Sequence, residues 1–147
     1  MLYSQYGKCG VHCGVRIMNY IKVVAAVIFR ENKILIARRK KGKHLESCWE
    51  YPGGKTEKNE EEKKALKREL KEEFNIEASI EKYLTESFHE YENININLKA
   101  YLVRDFLGDF KLSDHDKIEW IKIEEIKKYD FAPADIPIND YLIKNGI

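Results

Sequence analysis

The apolar positions of this chain change their period several times along its length. From Tyr20, "YIKVVAAVIFREN" is a β-branched apolar run that stops at Glu31-Asn32, and "KILIARR" resumes it. Apolar residues at successive rather than alternate positions predict a hairpin whose first strand is buried on both faces. "CWEYPGGK" predicts a short strand closed by Pro-Gly-Gly, which should continue neither regular element. A charged helical segment follows. Beyond it, "ASIEKYLTESFHEYE" and "NININLKAYLVRDF" alternate as strands do and predict antiparallel neighbours. "KIEWIKIEEI" reads as a strand running into a helical turn, and a short helix is expected from about Ile138 to Lys144. The sum is an α/β domain, a mixed sheet with a long helix and a short one packed against it.

Length and charge narrow the classes open to it. At 147 residues the chain suits a single domain with a real core. A formal net charge of +1 gives no global pull toward a nucleic acid polymer or a membrane. The longest apolar run, Val23 to Phe29, is strand-sized and far short of a membrane span. The N-terminus has no continuous apolar core followed by a cleavage site, so a cytoplasmic protein is expected. Residues 1–17 are Gly-rich and without pattern, and read as a disordered extension before a folded unit over 18–147. Its Cys9, His12 and Cys13 could supply metal ligands, but no second ligand pair accompanies them. With Cys48 the cysteines number three, which argues against a disulfide framework.

The charged segment divides in two. Asn59 is a good N-cap, and Glu62 could complete a capping box with it. Glu60, Glu61 and Glu62 suit the positive end of the helix dipole. Ala65, Leu66 and Leu70 make a stripe that can lie on the sheet, Phe74 ends the helix, and Asn75 is placed for an αL turn. Glu60 with Lys64, and Arg68 with Glu72, have the spacing of ordinary helical ion pairs. Glu69, Glu72 and Glu73 do not fit this account. They share one face at the negative end of the dipole, and Glu69 borders the core stripe. A divalent cation such as Mg²⁺ or Mn²⁺ would relieve those penalties together. Spacing alone leaves a solvated acidic face as an equal alternative. The preceding loop favours the cation, because Gly53 and Gly54 let backbone approach a ligand while Lys55 and Arg39 could hold phosphate oxygens.

These residues resemble the Nudix box, G-x5-E-x7-R-E-U-x-E-E-x-G-U, with U a bulky apolar residue. It is met here by Gly54, Glu60, Arg68, Glu69, Leu70, Glu72, Glu73, Phe74 and Ile76, with Asn75 in place of the last glycine. "ARR", "CWEYPGGK" and "FAPADIP" look like the MutT-like branch, and the resemblance covers roughly Tyr20 to Ile143. It implies an α/β/α Nudix sandwich and Mg²⁺-dependent hydrolysis of nucleoside triphosphates to the monophosphate and pyrophosphate, with Mn²⁺ as a substitute. By the same resemblance Glu69, Glu72 and Glu73 bind the metal, the Gly53 carbonyl joins them, and one of these acids or Asp114 takes the proton of the attacking water. Gly54, Glu60 and Arg68 serve the box structurally. A small nucleotide is the implied partner, to a monomer or weak dimer.

Base selection must come from outside the box. Asp135 looks like the residue that reads the base edge, with a helix N-cap as its other reading. Tyr91, Phe88 and Phe131 are aromatic candidates for stacking or for the core. His89 and His115 read as ordinary polar loop or strand-end residues. The resemblance implies oxidised triphosphates such as 8-oxo-dGTP, or CTP and dCTP, as substrates. The alternatives are ADP-ribose or another nucleoside diphosphate derivative, and a catalytically silent nucleotide-binding regulator.

Overall fold

The structure, a computed structural model, describes residues 2–3, 16–17 and 19–147. Two short strands, β1 (Leu2–Tyr3) and β2 (Arg16–Ile17), pair antiparallel. The cysteines and histidine of the leader, Cys9, His12 and Cys13, lie outside the described residues.

The hairpin forms as its pattern predicts. β3 (Ile21–Arg30) and β4 (Lys33–Arg39) meet at Glu31 and Asn32, whose φ angles of 52° and 65° suit the left-handed turn that matches strand twist. Val24 to Ile28 are all buried, and successive residues serve opposite layers. Val24, Ala26 and Ile28 face one cluster, Ala25 and Val27 the other. The central strand is therefore apolar at every position because both faces of the sheet are covered.

β3 and β4 pair only near their turn, at Phe29↔Ile34 and Arg30↔Lys33. Beyond that they splay, and the edges are taken by β5 (Trp49–Glu50) against β4 and β6 (Gly53–Lys55) against β3. The Gly-Gly stretch thus continues as strand, contrary to expectation. A Cβ on Gly53 would overlap the Val24 carbonyl, so glycine permits the close approach that pairing requires. The wedge between the splayed strands is where the cleft opens.

α1 (Glu62–Phe74) covers one face through Ala65, Leu66, Leu70 and Phe74. Asn75 closes it at φ 61°, and its side-chain amide donates to the Asp109 carbonyl at 3.0 Å. The start differs from the sequence reading. Asn59 is itself left-handed at φ 61°, Glu61 occupies the cap position, and no side chain caps the helix. Of the three acids, Glu62 alone lies within the first turn, bonded to Lys99 Nζ at 2.9 Å and Tyr101 Oη at 2.6 Å. The tertiary partners of Glu60 and Glu62 outcompete the local dipole, which is weak at an exposed helix end.

β7 (Glu77–Ser79) pairs with β10 (Asp105–Leu107) in a small separate sheet. β8 (Lys82–Tyr91) and β9 (Ile94–Val103) are antiparallel neighbours, and β9 runs parallel to β3. With β11 (His115–Ile121) the main sheet has the order β11-β4-β3-β9-β8. The other face carries the 3-10 turns Ile123–Lys128 and Pro133–Asp135 and then α2 (Ile136–Asn145), which begins earlier than expected because Pro137 suits a first turn. Ile138 and Leu142 bury on that face, completing an α/β/α sandwich. No helix among the described residues is long and apolar enough to cross a membrane.

Candidate active site

The wedge between β3 and β4 opens into a cleft of about 850 Å³, floored by β6 and walled by α1, β9 and the start of β11. Its acidic end holds Glu50, Glu69, Glu73 and Asp114. Its other end is lined by Val23, Ile96, Leu98 and Tyr91 and reaches Asp135.

Each acid is placed by a different element. Glu69 lies on α1 over β6, and a Cβ on Gly54 would overlap its carboxylate. It is buried, and that burial raises its pKa, opposed by Arg68 at 3.6 Å. Arg68 is held as a fork by Glu60, Nε to Oε2 and Nη2 to Oε1 each at 2.9 Å, and Nη2 also donates to the Lys55 carbonyl. Arg68 therefore ties α1 to the end of β6. Its Nη1 draws Glu72 to 3.3 Å, leaving that side chain 58% exposed and off the cleft lining. Two of the three clustered acids, Glu69 and Glu73, enter the cleft, and Glu72 stays at the rim with Arg68. The Glu60–Arg68 fork stands in place of the Glu60–Lys64 pairing that spacing suggested.

Glu73 gives the strongest reason to place a cation here. Ion pairs engage Glu50, Glu69 and Asp114, but none among the described residues engages Glu73. Burial, then the charges of Glu69, Asp114 and Glu50, push its carboxyl up to about 8. Among the described residues no three His, Cys, Asp or Glu side chains are already drawn into a cage. Mg²⁺ needs none, since it keeps several waters and takes one or two carboxylates. Glu69 and Glu73, with the backbone of Gly53 beside them on the cleft floor, fit such an ion.

Asp114 pairs with Lys43 Nζ at 3.1 Å; burial opposes its ionisation, but Lys43 wins and holds its pKa low. Arg39 Nη1 bonds both Glu50 oxygens at 3.1 Å, and its Nε donates to the His44 carbonyl at 2.6 Å. Lys55 lines the cleft from β6.

At the apolar end Asp135 is buried, accepting the Tyr51 N–H on Oδ1 at 3.0 Å. It precedes α2 but makes no capping bond. Burial, then the Glu50 charge, raise its pKa well above the usual carboxylate range. Tyr51 Oη donates to Asn139 Oδ1 at 2.7 Å, and Tyr91 Oη accepts the Ala134 N–H at 3.0 Å. Phe131 packs against Tyr51 in the core, whereas Phe88 is 61% exposed beside Tyr20, away from the cleft. His89 packs edge-on to Tyr91.

Glu50 escaped the sequence reading, and His115, read there as an ordinary polar residue, is buried in the structure. His115 begins β11, as a strand-end residue should, but it is buried against Phe74 with Nε2 2.7 Å from Glu50 and Nδ1 without a partner. The available signal was Glu50 itself, the lone charge in the apolar strand "CWEYPGG".

Known proteins resemble this chain in sequence and fold. A family model described as NUDIX domain matches residues 23–140. The chain is 41% identical over 121 residues to the CTP pyrophosphohydrolase of Escherichia coli strain K12, covering 82% of this chain and 90% of that protein. It is 31% identical over 124 residues to the 8-oxo-dGTP diphosphatase of Buchnera aphidicola subsp. Schizaphis graminum, covering 84% and 94%. The solution structure of the E. coli ORF135 protein superposes with a TM-score of 0.78 at 39% identity, over 86% of this chain and 91% of that one. With the match running through sheet, helix and cleft alike, the chain belongs to the Nudix family.

Proposed function

We propose that this chain hydrolyses nucleoside triphosphates to the monophosphate and pyrophosphate with Mg²⁺ held by Glu69 and Glu73, acting as a monomer or weak dimer in the cytoplasm. Mn²⁺ is the expected substitute. The observation that carries the reading is one cleft with unpaired acid at one end and an apolar pocket closed by Asp135 at the other. A triphosphate is charged at one end and largely flat and apolar at the other, so the two ends are complementary to it.

When bound, the ion would neutralise phosphate oxygens and make a water more acidic. The chain does the positioning. Glu69 and Glu73 supply oxygens, and Arg68 fixes the helix that carries them to β6. Asp114, which Lys43 holds ionised in the free protein, is the acceptor for the proton of the attacking water. Asp135 would read an exocyclic amino group, with Tyr91 flanking the base. Cytosine and 8-oxoguanine both carry such a group, and the 41% identity to the E. coli CTP pyrophosphohydrolase favours CTP and dCTP over oxidised triphosphates such as 8-oxo-dGTP.

The test is kcat/KM across normal and oxidised nucleoside triphosphates and ADP-ribose, with Mg²⁺, with Mn²⁺ and with excess chelator. Pyrophosphate release that chelator abolishes is expected. Full activity in chelator, or ADP-ribose ranking first, would overturn the reading.

A further inference from the structure

The loop between β4 and β5 is shaped locally. Gly42, Leu45 and Ser47 have φ of 89°, 58° and 68°, and the Gly42 N–H donates to Glu46 Oε1 at 2.9 Å. Arg39 clasps it at the His44 carbonyl, and Lys40 Nζ donates to the Ser113 carbonyl at 2.6 Å. The loop is thus tied to both β4 and the segment before β11, and it carries Lys43 to the acidic end of the cleft.

The bases in the cleft differ in how firmly they are engaged. Arg39 is committed twice, to Glu50 and to the His44 carbonyl. Lys43 has a single ion pair, to Asp114 at 3.1 Å, with the two side chains 42% and 43% exposed. One solvated pair of this kind is easily exchanged. A polyphosphate brings several charges and acceptor oxygens, so it competes well with one carboxylate for an ammonium group. Position says which phosphates. Asp135 closes the buried end, and Lys43 stands at the solvent-exposed end, so a nucleotide with its base inward presents its terminal phosphates to Lys43.

We propose that Lys43 is a substrate-binding residue for the terminal phosphates, paired with Asp114 in the free protein and exchanging that partner for the incoming polyphosphate. The exchange returns the Asp114 carboxylate to the acidic end once substrate has entered. This rests on the triphosphate reading above and names a residue that neither the family motif nor the spacing of acids singles out.

The test compares wild type, Lys43→Gln and Lys43→Arg by equilibrium binding of α,β-methylene-CTP and of CMP with Mg²⁺ present. Loss of one charge-assisted contact predicts about tenfold weaker binding of the triphosphate analogue by Lys43→Gln. CMP binding should be unchanged, and Lys43→Arg should keep most of the affinity. Equal weakening of both ligands, or of neither, would overturn the assignment. Wild-type pyrophosphate release is measured alongside: its absence with every triphosphate counts against the proposed function, while the binding comparison still decides the role of Lys43.

Discussion

Gly54 lies directly beneath the Glu69 carboxylate, in space that any side chain would fill. The glycine is therefore demanded by a neighbour on α1 and not by a left-handed φ of its own. Gly54→Ala should displace the Glu69 carboxylate by about 1 Å and reduce kcat by about a hundredfold, the effect of misplacing a catalytic group by that distance. Circular dichroism should remain native. Unchanged kcat would show that the position of Glu69 does not matter.

Glu69 and Glu73 enter the cleft, and Glu72 is held at its rim by Arg68. Glu73→Gln should therefore lose more activity than Glu72→Gln, and should weaken Mn²⁺ binding measured by electron paramagnetic resonance. A loss of roughly a hundredfold or more is expected for Glu73→Gln, as for removal of a group that stabilises reacting charge. Equal losses for the two variants would contradict the placement.

The Glu60–Arg68 fork predicts an acid-dependent term in stability. The Arg68 bonds, then the Glu57 N–H, hold the Glu60 carboxyl down at about 2 against an ordinary value of 4.5. A depressed carboxyl contributes stability above its unfolded pKa, and that contribution fades as pH falls from about 4.5 toward about 2. Urea midpoints of wild type and Glu60→Gln should differ at neutral pH and converge near the lower limit. A pH-independent gap would refute this.

Asp135 predicts the opposite sign. Its carboxyl is raised, so the folded state binds its proton more tightly and loses stability as pH rises above the unfolded value of 3.8. Asp135→Asn keeps an oxygen for the Tyr51 N–H and removes the buried charge. The variant should gain stability over wild type as pH increases, while its ranking of nucleotide bases changes. Thermal melts across pH and the nucleotide panel read the two effects separately.

Tyr51, the residue after β5, is joined to Asn139 of α2 through a buried hydrogen bond of 2.7 Å. Tyr51→Phe strands the Asn139 oxygen and should cost about 1–3 kcal/mol. A lower urea midpoint with unchanged slope is the expected signature.

What the chain alone determined is local in origin. The buried hairpin, the αL turn at Asn75, the stripe of Ala65, Leu66 and Leu70, and the conflict among Glu69, Glu72 and Glu73 all follow from period, backbone preference and like-charge spacing. Tertiary structure decided what depends on partners distant in sequence. Glu60 finds Arg68, Glu62 finds Lys99 and Tyr101, and Asn59 is left uncapped in a left-handed turn. Gly53 and Gly54 become a strand because β3 and β4 splay apart and leave an edge to fill. Glu50, His115, Lys43 and Asp135 come from four separate stretches of chain, and the sheet alone brings them to one cleft. Periodicity records which face a residue takes; it holds no information about which distant charge will stand opposite, because that is set by how the strands diverge and pack.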